Sequence, residues 1–340
     1  MAEDSAKAKA WAIFDAILDD VTPHGQHSNP WEAGGYVADI GTLERLLGAA
    51  LQVVPDGKTQ SGVAALALDV WVAYELRRAG FHHDAVWPRA QAPRVIPTSI
   101  SGLLDALPAR ESKPLRDRLE GRNPPSGVVG ASANVLGKNY IKQVDVVVSA
   151  WDTGPQILIS TKRMDSSFGK NAANRVEESY GDAKNLRGRH PLAALGFVFG
   201  LRSTAFESEP ATARWITDLL EKLGREDDAY DSVCLLVLEY GGEATETSPE
   251  EAPPLAEAGA IEDDASPLDV SIVEVETQLS SLPTVRVRRD LAPATLDPAR
   301  FLQTVVDHVL DVTPITLHKD ARARAGRPFV EPAARVKRSD

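Results

Sequence analysis

Cysteine is almost absent from this 340-residue chain, with Cys234 the only one. A single thiol excludes an intramolecular disulfide and a cysteine-rich zinc site. Its setting, the apolar run SVCLLVLEY, predicts a buried, inert thiol rather than a nucleophile. Long apolar runs are lacking too, and none approaches the roughly 18 residues that a membrane span needs. The first residues, MAEDSAKAKAWAIFDAILDD, carry acids on both sides of a short apolar periodicity. A secretory signal needs a basic start and a continuous apolar run, so a cytoplasmic location is expected. The seven histidines, at 24, 27, 82, 83, 190, 308 and 318, form no metal-ligand pattern. His24-x-x-His27 and His82-His83 have no cysteine or acid at a useful spacing and read as loop residues. GASANVLGKNY has two glycines but not the GxxxxGK[ST] spacing, which argues against a nucleotide-driven motor. Between residues 241 and 276, Lys and Arg are absent against eleven acids. That segment carries nearly all of the net charge of -12, so the remaining chain is close to neutral. Overall acidity therefore does not exclude a nucleic-acid partner, although phosphate binding favours basic surfaces.

What is present begins with helical periodicity. Trp11, Ile13, Phe14, Ile17 and Leu18 recur at helical spacing, and IGTLERLLGAALQVV repeats the pattern after a loop rich in His, Pro and Gly. A third helix, Gly62 to about Ala79, is apolar almost all round and should lie buried against a sheet, with Gly80 as its stop. Residues 84–97 are punctuated by proline and read as extended, and 98–121 as one or two short helices. The pattern then changes. QVDVVVSA and QILIST are short β-branched runs joined by WDTGP, which predicts two strands and a tight turn. A polar helix over 170–186, a strand at LAALGFVFGL, a helix at ATARWITDLLEKLG, a strand at SVCLLVLEY, an alternating strand at TVRVRRD and a helix at PARFLQTVVDHVLDV complete the order. Strands alternating with helices predict the α/β class, a mixed central β-sheet flanked by helices and preceded by an N-terminal helical region. The expected divisions are a helical region 1–60, a core 61–312 holding a flexible acidic insertion at 241–276, and a mobile basic tail 313–340.

The informative segment runs from Asp145 through the hairpin to Ser160-Thr161-Lys162. Strand alternation puts Ser160 and Lys162 on one face and Thr161 on the other. A carboxylate and an ammonium at adjacent strand ends are costly to bury unless they are paired or bind metal. Phosphodiester hydrolysis uses such a set: acidic oxygens hold Mg²⁺, and a lysine orients or deprotonates the attacking water.

On these residues the chain resembles the PD-(D/E)xK superfamily of nucleases, particularly type II restriction endonucleases. The family places an Asp on one strand and a Glu/Asp-x-Lys pair on its neighbour. Here Val144 precedes Asp145 where the family has Pro, and Ser160 stands where it has an acid. One branch of restriction enzymes carries Ser-x-Lys and takes the missing acid from the next helix. In that helix Ala172, Ala173, Val176, Tyr180 and Ala183 form an apolar stripe, and Glu177 flanks it with Lys170, Asn174 and Lys184. The resemblance thus implies Asp145, Ser160, Lys162 and Glu177 as catalytic residues, Asp145 and Glu177 as ligands of Mg²⁺, and Glu178 as the fallback acid. It implies cleavage of double-stranded DNA by a homodimer, one active site per strand of a two-fold target. A repair or phage-defence nuclease without strict sequence specificity, and a non-catalytic DNA-binding module on a degenerate nuclease fold, are the alternatives.

Arg163, Lys170, Asn174, Arg175, Lys184, Arg187 and Arg189 are the expected DNA contacts, with a solvated helix face as the competing account. Arg286, Arg288 and Arg289 offer further phosphate contacts or protection of a sheet edge. Glu75 is either a helical acid that helps hold metal or a surface partner of Arg77 and Arg78. Asp152 is explained by turn chemistry before Gly154.

Overall fold

The computed structural model describes residues 2–54, 62–121, 124–125, 127–130, 132–241 and 272–332, the side chains of 2–5, 170–171 and 272–274 excepted. The architecture is α/β. Its central mixed sheet has six strands: β1 (Val86–Trp87), β2 (Val146–Ala150), β3 (Gly154–Met164), β4 (Ala194–Arg202), β5 (Ser232–Tyr240) and β6 (Val285–Val287). Spatial order follows chain order, β1 to β6. β1 and β3 lie antiparallel to β2, β3, β4 and β5 run parallel, and β6 closes the sheet antiparallel to β5. β4 and β5 are buried along nearly their whole length, as expected of parallel strands covered on both faces.

Helices cover each face. On one side lie α1 (Ala2–Val21), α2 (Ile40–Val53), α3 (Val63–Arg78) and α6 (Pro298–Val312). They share a core with Ile157, Ile159, Val198 and Leu236, so the N-terminal helices belong to the packing of the sheet. On the other side α4 (Phe168–Arg187) and α5 (Pro210–Leu223) pack with Leu158, Phe197, Phe199 and Leu235. Burying each such side chain contributes about 1.5–3 kcal/mol. Local chemistry starts two of the helices. Asp39 accepts the Thr42 amide at the head of α2, and Asp297 accepts the Ala299 amide where Pro298 opens α6.

Parts of two expected mobile regions are ordered. Within 241–276, residues 242–271 lie outside the described residues, but Ile272–Leu279 is a helix packed against α1 and α2. The basic tail is folded as far as residue 332. Its helix α7 (Lys319–Arg324) is held by Arg322, which is buried and donates to the carbonyls of Leu310, Thr313, Pro314 and Leu317. Arg324 donates to the carbonyls of His27, Ser28 and Arg78. Orphan carbonyls at helix ends take guanidinium donors well, and this converts a charged tail into a clasp. Residues 333–340 lie outside the described residues.

Candidate active site

β2 and β3 pair as far as Val146 and Ile159, and there they part. The preceding segment Ile141–Val144 turns away into a separate ribbon with Ala133–Leu136. Asp145 sits at this fork. Its Oδ2 accepts the backbone amide of Thr161 at 2.7 Å, so a carboxylate takes a β3 donor where the strand partner has departed.

Strand alternation then sorts the three following side chains. Ser160 and Lys162 project toward α4 and Thr161 toward α3, as their neighbours Leu158 and Ile159 do. On that second side the Thr161 hydroxyl donates to Asp69 Oδ1 of α3 at 2.5 Å. Asp69 is a candidate site residue that the sequence does not mark. Its only signal is being the one acid in the first three turns of a helix otherwise apolar all round.

Asp69 and Asp145 therefore meet through one residue. Burial, then the like charge of Asp145, holds the Asp69 carboxyl well above the usual carboxylate range. Burial likewise raises Asp145, against the opposing pull of Lys162 and the Thr161 amide. Lys162 acts on both carboxylates electrostatically, yet makes no hydrogen bond or ion pair with any described residue. Among the described residues, Asp69 Oδ2 and Asp145 Oδ1 have no donor. Two such carboxylate oxygens within electrostatic reach of an ammonium are a donor set suited to a hard divalent cation.

The α4 side adds a second polar group. Asp182 pairs with Lys142 at 2.6 Å and accepts from the Tyr140 hydroxyl at 3.1 Å, and both Lys142 and Asp182 act on Asp145. The Tyr230 hydroxyl donates to the Ser179 carbonyl at 2.9 Å and also bonds Ser160.

Glu177 is exposed and has no partner among the described residues. Glu178 is exposed and faces Arg175 at 3.6 Å. The buried stripe of α4 is Phe168, Ala172, Ser179, Asp182, Ala183, Asn185 and Leu186; of the expected stripe Ala172 and Ala183 are buried, whereas Ala173, Val176 and Tyr180 are half-buried. The helix is rolled relative to its apolar periodicity because Asp182 and Asn185 turn inward, where Asn185 accepts the Asn139 and Tyr140 amides and donates to the Tyr140 carbonyl.

Of the expected DNA contacts, three have acidic partners within the chain, Lys184 in an exposed pair. Arg163 is buried against Asp165 and the Tyr240 hydroxyl, Lys184 is paired with Asp228, and Arg187 binds Asp231 and the Ala193 carbonyl. Asn174 and Arg189 are exposed, Arg175 is partly so, and the Lys170 side chain lies outside the described residues. Arg288 pairs with Glu239 and Asp290, Arg289 pairs with Asp297, and Arg286 is exposed.

Glu75 is fully buried rather than a surface partner. It binds Arg78, the Tyr36 hydroxyl and the Asp39 amide. Asp152 is exposed in the turn before Gly154, whose φ of +66° favours glycine. His82 and His83, read from the sequence as lacking an acidic partner, stack at 4.5 Å and lie beside Asp84 closely enough to share an ion. Asp84 is already engaged by Arg89 at 2.7 Å and the Ser101 hydroxyl at 2.6 Å, which leaves it little capacity for a cation.

Among the described residues no helix is long and apolar enough to cross a membrane. No protein-family model, no curated protein and no solved structure matches the chain.

Proposed function

We propose that the chain is a divalent-metal-dependent endonuclease for double-stranded DNA, with Asp69 and Asp145 as its metal carboxylates and Lys162 as its catalytic ammonium. One observation carries the reading: two carboxylates from separate elements converge on Thr161, each with a second oxygen that no described residue donates to, within electrostatic reach of a lysine that has no partner among the described residues. Unpaired like charges are expensive to hold together, and a bound cation relieves that expense. Bound Mg²⁺ would polarise the scissile phosphate and stabilise charge on the leaving oxygen. Lys162 would donate a hydrogen bond that orients the attacking water and offset the charge building on the phosphate, and Ser160 fills the family's usual acid position as a neutral group. Hydrolysis of the 3′ bond would leave a 5′-phosphate.

A homodimer cutting at a specific site remains the finer proposal. The commitment of Arg163 and Arg187 to internal partners favours, as a second reading, a repair or defence nuclease that does not read sequence through α4. Incubation of the full chain with plasmid, in Mg²⁺ or EDTA, tests both. Discrete fragments in Mg²⁺ alone support the specific enzyme, and a smear supports the second reading. Intact, shifted DNA under both conditions sinks catalysis and leaves a DNA-binding module.

A further inference from the structure

We infer that Thr161 is a positioning residue that sets the spacing of the two metal-site carboxylates, holding Asp145 through its backbone and Asp69 through its side chain. The inference rests on the metal reading above. Its warrant is geometric: the Thr161 amide lies 2.7 Å from Asp145 Oδ2, and the Thr161 hydroxyl lies 2.5 Å from Asp69 Oδ1.

The two ligands come from separate elements. Asp145 is at the head of β2 and Asp69 is in the middle of α3. Like charges close together repel, so without a donor between them their side chains would turn apart. Thr161 is buried between them and supplies one hydrogen bond to each. It also leaves the second oxygen of each carboxylate free. In the same stretch of β3, alternation sends Lys162 to the opposite face, so one tripeptide fixes both carboxylates and the ammonium. Displacing a catalytic group by about 1 Å can cost around a hundredfold in rate, which makes a shared anchor consequential.

The side chain can be tested apart from the backbone. Thr161→Val keeps the β-branched shape and the amide held by Asp145, and removes only the hydroxyl to Asp69. Thr161→Ser returns the hydroxyl. Titration of the full chain with Mn²⁺ alone, followed by calorimetry, should show affinity about tenfold weaker in Thr161→Val and restored to within about twofold in Thr161→Ser. In cleavage assays the Mg²⁺ requirement of Thr161→Val should rise, and Thr161→Ser should return it toward wild type. A merely structural role would lower the amount of active protein and leave the metal requirement unchanged. Equal Mn²⁺ affinity in all three proteins overturns the positioning role alone. If the wild-type chain binds no Mn²⁺, the metal reading falls and this role falls with it. A Thr161→Val and Asp69→Ala double-mutant cycle, unfolded by urea in EDTA, identifies that second case by showing a coupling without metal.

Discussion

Asp69 costs free energy where it stands, because α3 buries it among apolar neighbours and Asp145 adds a like charge. Removing the charge should therefore stabilise the metal-free fold while destroying the site. The raised carboxyl sets the direction with pH: the folded state holds its proton where the unfolded chain has already lost it. Stability thus declines as pH rises from the ordinary carboxylate range through the elevated folded value. Asp69→Asn should match wild type in strong acid and become more stable than wild type above that window. The gain should be on the order of 1 kcal/mol once the solvent reaching the carboxylate is allowed for. Urea unfolding of both proteins across pH in EDTA measures this, and a constant difference at all pH values would reject it.

The same site makes a second, sharper comparison. Asp145→Asn, Lys162→Ala and Asp69→Asn should each lower cleavage by about a hundredfold or more, since metal binding and water activation each contribute several kcal/mol. Glu177→Ala should cut within a few-fold of wild type, because Glu177 faces solvent. A dead Glu177→Ala beside an active Asp69→Asn would restore the delayed-acid arrangement that Ser160 suggests. Asp145, Ser160 and Lys162 are legible in the sequence because a β-branched hairpin fixes their faces by alternation alone. Asp69 is not, since the contact joins residues 92 positions apart. Glu75, the more conspicuous acid of α3, lies six residues further on, about 240° around the helix, and serves Arg78, Tyr36 and the Asp39 amide instead.

At the level of elements, the β-rich core strands follow their apolar runs closely, and the errors fall where polar groups decide the packing. α4 shows this best. Its apolar periodicity points one stripe inward, yet Asp182 and Asn185 are drawn in by Lys142, Tyr140 and Asn139 from the ribbon beside the fork. A period of apolar residues carries no information about such partners. The tail errs for the same reason: Arg322 and Arg324 look like solvated charge in the sequence but cap carbonyls in the fold. Gly80 is the hinge of that clasp, with φ of +99° and the backbone of Ala321 2.7 Å from where a Cβ would lie. Gly80→Ala should thus combine left-handed strain with a backbone clash and cost about 2 kcal/mol or more. Limited proteolysis should then release the chain beyond residue 313 sooner than in wild type. Unchanged protease resistance would show that α7 is not held by this contact.

For the molecule as a whole, the question is how a protein of net charge -12 approaches a polyanion. Nine of its carboxylates, and no Lys or Arg, fall in 242–271, between the end of β5 and the helix Ile272–Leu279. The flanking elements each have partners elsewhere in the fold. β5 is gripped by β4 and β6, and the Ile272–Leu279 helix packs on α1 and α2. Replacing 242–271 by a neutral Gly-Ser linker of equal length should accordingly leave cooperative unfolding intact. It should also tighten association with a DNA duplex several-fold at about 50 mM salt, with the gain shrinking as salt screens the removed charge. Fluorescence anisotropy at two salt concentrations, in Ca²⁺ or EDTA so that cleavage does not intervene, reads the effect. A protein that folds but binds no more tightly would mean that the acidic stretch does not sense the DNA, and that exposed cations of the body, Arg189 and Arg286 among them, set the affinity alone.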